Sequence, residues 1–89
     1  LETVDGNEMA WFPTYAGAAG ASGALAKGDS YMPSLAGTRV YFSVADPARV
    51  LERVKAMGGK VLYPVAEVGA YGRVAEFEDS EGNRIALHA

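Results

Sequence analysis

A single helix, marked at both ends, most constrains the fold of this 89-residue chain. Asp46 offers a side-chain acceptor for a helix start, and Pro47 suits the first helical position because its missing N–H does no harm there. Apolar residues then recur at helical spacing as far as Met57, and Gly58-Gly59 supplies the positive φ with which helices often end. The pattern therefore predicts one helix of about 11 residues.

Four other segments after residue 37 are predicted as strands, and all except Lys60–Val65 alternate between apolar and polar residues. They are Thr38–Val44 before the helix and Lys60–Val65, Arg73–Glu78 and Arg84–His88 after it. Pro64 indicates an edge or a bulge, Ala66–Gly72 is predicted as a loop, and Asp79–Asn83 as a turn. The order β-α-β-β-β predicts an α+β fold in which one helix crosses one face of a curved mixed sheet.

The first part of the chain, residues 1–37, is rich in glycine and alanine, and Lys27 is its only cation. Two segments favour a hairpin, Glu8–Thr14 and Ser22–Lys27, joined by a flexible stretch at Tyr15–Gly20. Gly28–Gly37 then serves as a linker. We therefore predict two parts, a hairpin with its linker at 1–37 and the β-α-β-β-β unit at 38–89.

Composition excludes several classes of function. Eight Lys and Arg stand against eleven Asp and Glu with no basic run, so we expect neither nucleic acid nor an anionic membrane as a partner. The chain has no Cys, which excludes disulfides, thiolate metal sites and Cys nucleophiles. No apolar run approaches the ~18 residues that a membrane span needs, and we expect no signal peptide, because no charged stretch is followed by an apolar one as in a leader. We therefore expect a cytoplasmic domain.

Two groups of residues carry a resemblance to a known family. The turn Asp79–Asn83 is followed by the apolar strand Arg84–Leu87, and upstream Met9–Pro13 and Gly20–Leu25 form a candidate hairpin. In this order the chain resembles the second half of a vicinal-oxygen-chelate protein, the superfamily of glyoxalases, bleomycin-resistance proteins and extradiol dioxygenases, with part of the first half before it. The resemblance implies a sheet curved into a cup. Because the opening elements of the first module are missing, we expect a longer protein or a shortened member that relies on a partner.

The resemblance also implies a divalent metal held from the first and last strands of each half. In this half those positions fall at or beside Arg39 and at Ala86. Arginine offers only donors and alanine offers no ligand atom. We therefore expect that metal binding of the usual kind is lost and assign no cofactor. If a divalent metal is held, the candidates are Glu76 and His88.

The candidate ligand-binding residues are those that alternation places on the concave face, together with one aromatic residue of the hairpin. They are Arg39, Tyr41, Glu76, His88 and Trp11. An arginine and a tyrosine can orient an anionic or aromatic small molecule, and a histidine can act as a base. Each residue also has a structural alternative: Glu76 can pair with Arg84 or Arg39, His88 can be solvated, and the aromatic residues can pack.

The leading functional hypothesis is a small-molecule binding protein of the glyoxalase and bleomycin-resistance type. The alternative is a metal-dependent enzyme, a glyoxalase-like lyase or isomerase or a dioxygenase-like protein, with its site completed by another module or chain. A third hypothesis is a fragment without activity. Because a two-stranded hairpin is marginal alone and exposes a sheet edge, we also expect a homodimer.

Overall fold

The computed structural model of the chain describes residues 2–4, 6–13, 20 and 23–89. They form an α+β fold that divides into two compact units, Leu1–Met32 and Pro33–Ala89. Each unit has a β-sheet of its own. Residues 33–37, which were predicted as part of the linker at Gly28–Gly37, belong to the second unit.

The first unit contains a three-stranded antiparallel sheet in the order β1-β2-β3. Its strands are β1 (Glu2–Val4), β2 (Asn7–Trp11) and β3 (Ala24–Lys27). The predicted hairpin corresponds to β2 and β3, with both strands shorter than expected, whereas β1 was not predicted because three residues show no alternation. Of the predicted connection at 15–20, only Gly20 lies among the described residues. Thr14 and Ser22, at the inner ends of the two predicted strands, also lie outside the described residues.

The second unit contains a four-stranded mixed sheet and one helix in the predicted order β-α-β-β-β. Its elements are β4 (Val40–Ser43), α1 (Pro47–Ala56), β5 (Lys60–Glu67), β6 (Arg73–Glu78) and β7 (Arg84–His88). The strands lie in the order β4-β7-β6-β5, where β4 runs parallel to β7 and the other neighbours are antiparallel. The order places β4 and β5 at the two edges.

The ends of α1 form as the sequence predicts. The Asp46 carboxylate accepts a hydrogen bond from the Arg49 backbone N–H at 3.3 Å, and Pro47 is the first helical residue. After the helix, Gly58 has φ +94°, a conformation that favours glycine. Met57, the last residue of the predicted apolar spacing, is 78% exposed, because the helix ends at Ala56 and Met57 is its C-cap.

Two boundaries in the second unit differ from the predicted ones. β4 is shorter than Thr38–Val44. β5 continues to Glu67, so the predicted loop at Ala66–Gly72 begins with the last two residues of β5 and contains a 3-10 turn at Gly69–Tyr71. The register of β5 against β6 shifts on both sides of Tyr63, and the second shift, between Tyr63 and Ala66, includes Pro64, on the edge strand where Pro64 was expected. These shifts break the alternation and hide the end of the strand from a pattern analysis.

The core of the second unit lies between α1 and one face of its sheet. Leu51, Ala75 and Leu87 are buried there, with Val50 and Phe77 among the partly buried residues around them. The helix contacts β5 and β6, so the other face of the sheet is directed away from it. No helix among the described residues has the length and apolar character needed to cross a bilayer.

Candidate functional site

The candidate site is the face of the four-stranded sheet opposite α1, which we call the open face. Residues directly opposite each other on paired strands share a face, so the register defines the open face as rows across the strands. The tyrosine row consists of Tyr41, Ala86, Glu76 and Tyr63. The charged row, towards the β6–β7 turn, consists of Arg84, Glu78 and Lys60, and the histidine row, on the other side, of Ser43, His88, Val74 and Ala66.

Glu76 is the centre of an ion-pair network on this face. Its Oε2 accepts from Arg39 Nη1 at 3.1 Å and its Oε1 accepts from Arg84 Nε at 2.6 Å. The residue is only 8% exposed. Each carboxylate oxygen therefore has a guanidinium partner, and such charge-assisted hydrogen bonds are shorter and stronger than those between neutral groups.

The β6–β7 turn places Arg84 beside this network. Asp79 Oδ1 accepts from the backbone N–H groups of Glu81 and Asn83, both at 2.9 Å, and Gly82 adopts φ +88°. Side-chain bonds of this type favour an aspartate at the start of a turn. The turn is thus held in one conformation, and β7 begins at the next residue, Arg84.

The same turn holds the segment that leads to Arg39. The Ser34 backbone N–H donates to Asn83 Oδ1 at 3.1 Å, and the Arg84 backbone N–H donates to the Ser34 carbonyl at 3.2 Å. The second half of the predicted linker is therefore attached to the β6–β7 turn. This attachment brings Arg39, just before β4, onto the same carboxylate as Arg84.

His88 is on the open face but outside the ion-pair network. Its Nε2 lies 2.5 Å from the carbonyl oxygen of Tyr71. Because a carbonyl only accepts, Nε2 is the protonated nitrogen, and in the neutral ring Nδ1 then carries the lone pair. His88 is opposite Ser43 and Val74 in the register, whereas Glu76 is opposite Ala86. The alternative in which His88 is merely solvated is therefore wrong, since the ring has a backbone partner.

Of the predicted site residues, the structure joins Arg39 and Glu76 directly and places Tyr41 in the same row as Glu76. The alternative in which Glu76 pairs with an arginine is confirmed, and it applies to both arginines. Trp11 belongs to the first unit, where its indole N–H donates to Glu2 Oε2 at 3.1 Å. The residue is 55% exposed, so the alternative in which Trp11 packs in a core is wrong.

Arg84 and Tyr63 are among the open-face residues that were absent from the predicted site. Alternation along β7 already placed Arg84 with Ala86 and His88, so the signal for it was in the sequence. Tyr63 gave no such signal, because the register shifts around it in β5 hide its face from a pattern analysis.

The residues present do not fit a metal site of the kind that the resemblance implies. Arg39 and Ala86 stand where the resemblance implies two metal ligands, Ala86 is fully buried, and both oxygens of Glu76 are bonded to arginines. Within the described ranges, no group of three or more His, Cys, Asp or Glu side chains is arranged to hold a metal ion. We therefore derive no chemistry through a metal.

A groove of about 320 Å³ lies on the helix side of the sheet, between α1 and the β6–β7 turn. It is lined by Val50, Arg53, Val54, Met57, Gly59, Phe77, Asp79 and Ser80. Most of these side chains are apolar, and the Asp79 carboxylate is already bonded to backbone and side-chain groups of its own turn. The groove therefore has fewer groups that could orient a ligand than the open face has.

Comparison of the chain with protein-family models, with curated proteins and with solved structures finds no match. The case for a function accordingly depends on the geometry of the open face.

Proposed function

We propose that this protein binds a small organic molecule on the open face of its four-stranded sheet, without a metal. The β-α-β-β-β order of the second unit supports this proposal, because it agrees with the resemblance to glyoxalase and bleomycin-resistance proteins, whose ligands lie on the face of the sheet away from the helix. Fold alone does not determine function, so the argument depends on the side chains of the open face.

The observation that carries the proposal is the doubly paired Glu76. Replacing a buried ion pair by well-packed apolar residues is often neutral or stabilising, so such a network is weak evidence for stability. Stability alone therefore does not account for two arginines and a carboxylate at the centre of a sheet face. Fixed charges in a partly desolvated position are, however, what a binding site needs to orient a polar ligand.

The exposure of the neighbouring residues agrees with this role. The side chains of Arg39 and Arg84 are 39% and 30% exposed, so both remain accessible while they are paired to Glu76. Tyr41 and Tyr63 are each about half exposed at the two ends of the tyrosine row. The open face thus combines fixed charge, aromatic surface and hydrogen-bond donors.

The test is a fragment screen monitored by amide chemical shifts of the full chain. We expect fragments to shift the amides of β4, β6 and β7 around the tyrosine row. Shifts confined to the groove beside α1, or no binding by any fragment, would contradict the proposal.

A metal analysis of protein purified without a chelator separates the proposal from the metal-dependent enzyme. We expect less than stoichiometric divalent metal, and the same content in a Glu76→Ala variant. About one equivalent of nickel, zinc or iron, lost in Glu76→Ala, would favour the glyoxalase-like or dioxygenase-like alternative.

A further inference from the structure

The open face carries an excess of positive charge. Its cations are Arg39, Arg84 and Lys60, and its carboxylates are Glu76 and Glu78. The net charge of the open face is therefore +1. The chain as a whole has a net charge of −3. The sign of the charge on this face is therefore opposite to that of the molecule.

Arg39 has hydrogen-bond donors beyond those that hold Glu76. Its ion pair uses Nη1, and a guanidinium has five N–H donors. The side chain is also the more exposed of the two arginines on Glu76. An acceptor group on a ligand can therefore bond to Arg39 while the pair with Glu76 stays intact.

The tyrosine row gives this face two aromatic ends. Tyr41 and Tyr63 lie on the edge strands, three strand spacings or roughly 14 Å apart. Ala86, between them, is 0% exposed, so larger side chains form the surface there. Glu76, opposite Ala86, carries the planar guanidinium groups of Arg39 and Arg84, and guanidinium planes stack on aromatic rings.

We infer that the ligand of the open face is a planar aromatic molecule with a single negative charge. This inference rests on the proposed function and specifies its ligand class. The ring stacks over the Arg39–Glu76–Arg84 network between Tyr41 and Tyr63. The anionic group lies towards the charged row, where it neutralises the excess charge and accepts from Arg39.

The test compares three probes that share one ring system and differ in charge. They are 2-naphthoate, 2-naphthylmethanol and 2-naphthylmethylammonium, each titrated into the full chain while amide shifts are recorded. We expect 2-naphthoate to bind at least about tenfold more tightly than the neutral alcohol, a difference of about 1.4 kcal/mol, and the ammonium to bind most weakly. The largest shifts should lie in the tyrosine row and the charged row.

Two variants test the role of Arg39. In Arg39→Gln the preference for 2-naphthoate over 2-naphthylmethanol should disappear, and in Arg39→Lys, which retains the charge, part of it should remain. Arg49→Gln removes an arginine from the exposed surface of α1 and should leave the preference unchanged. If Arg39→Gln fails to fold, the comparison between Arg39→Lys and the wild-type chain still measures the contribution of the guanidinium.

The outcomes distinguish the inference from the proposed function. If the alcohol or the ammonium binds the open face as tightly as 2-naphthoate, the ligand class is wrong and small-molecule binding on this face still holds. If all three probes bind elsewhere or do not bind, both are wrong. An equal loss of preference in Arg39→Gln and Arg49→Gln would also overturn the inference, because it would show a general effect of charge.

Discussion

At the scale of the residue, Glu76 is a charged side chain in a nearly buried position of the second unit. Its side chain is 11% exposed and is paired with Arg39 and Arg84. Truncating one partner of such a network leaves the remaining charges in a partly desolvated position without compensation, which is more costly than the loss of a surface pair. The chain contains a surface pair for comparison, since Lys55 and Glu52 are 2.9 Å apart on exposed helix positions.

We predict that Glu76→Gln lowers the free energy of unfolding by about 1.5–3 kcal/mol, because two hydrogen bonds to a charged group are weakened. Glu52→Gln is the matched control and should change it by less than about 0.5 kcal/mol. Urea unfolding of both variants measures the difference. Equal midpoints would show that the network contributes no more than an exposed ion pair does.

At the scale of the element, α1 depends on its first residue outside the helix. The Asp46 side chain satisfies the Arg49 N–H, one of the donors that a helix start leaves without an intrahelical partner. We predict that Asp46→Ala destabilises the protein by about 1 kcal/mol. Arg53→Ala, on an exposed position of the same helix, should cost little. Thermal unfolding of the two variants provides the measurement. Identical melting curves would contradict the prediction that the Asp46 cap stabilises α1.

The elements also show what the sequence could predict and where it failed. The helix and three of the four strands around it follow from periodicity and from the residues at their ends, because Asp46, Pro47 and Gly58 act locally. The extent of β5 could not be predicted, since the register shifts beside Pro64 depend on its pairing with β6. Local pattern contains no information on such pairing.

The candidate site also has a part that the sequence predicts and a part that depends on contacts between distant segments. Alternation placed Glu76, Arg84, Ala86 and His88 on one face, as the register of β6 and β7 has them. The contact between Arg39 and Glu76 could be named only as one alternative, because it depends on the parallel pairing of β4 with β7 and on the attachment of Ser34 to the β6–β7 turn. The bond from His88 to the Tyr71 carbonyl depends on a 3-10 turn that no pattern indicated.

At the scale of the whole molecule, the edge strand β4 exposes apolar side chains on both of its faces. Val40 is 50% and Phe42 is 41% exposed on the helix side of the sheet, because α1 covers β5 and β6 rather than β4. Tyr41 is 52% exposed on the open face. An edge strand with exposed apolar side chains is a template for pairing with another strand, so we propose that two copies of the chain associate through β4.

Such a homodimer would have isologous contacts, in which the same strand of each copy meets the other. Pairing of the two β4 strands would join the sheets and place the two open faces side by side, so each site would lie next to its counterpart. We predict that the chain sediments at micromolar concentration as a species of twice its 9.3 kDa mass. Val40→Lys, with a charge on the pairing strand, should shift the species to the monomer.

Met57→Lys is the matched control for this prediction, because Met57 is even more exposed than Val40 but lies at the end of α1, away from β4. This variant should remain a dimer, since the new charge stays in solvent. A wild-type species of about 9 kDa with a sharp, cooperative melting transition would contradict the dimer itself. A dimer that persists in Val40→Lys would instead show that β4 is not the interface, because an unpaired lysine in a contact between apolar side chains carries a desolvation cost that such a small interface does not offset.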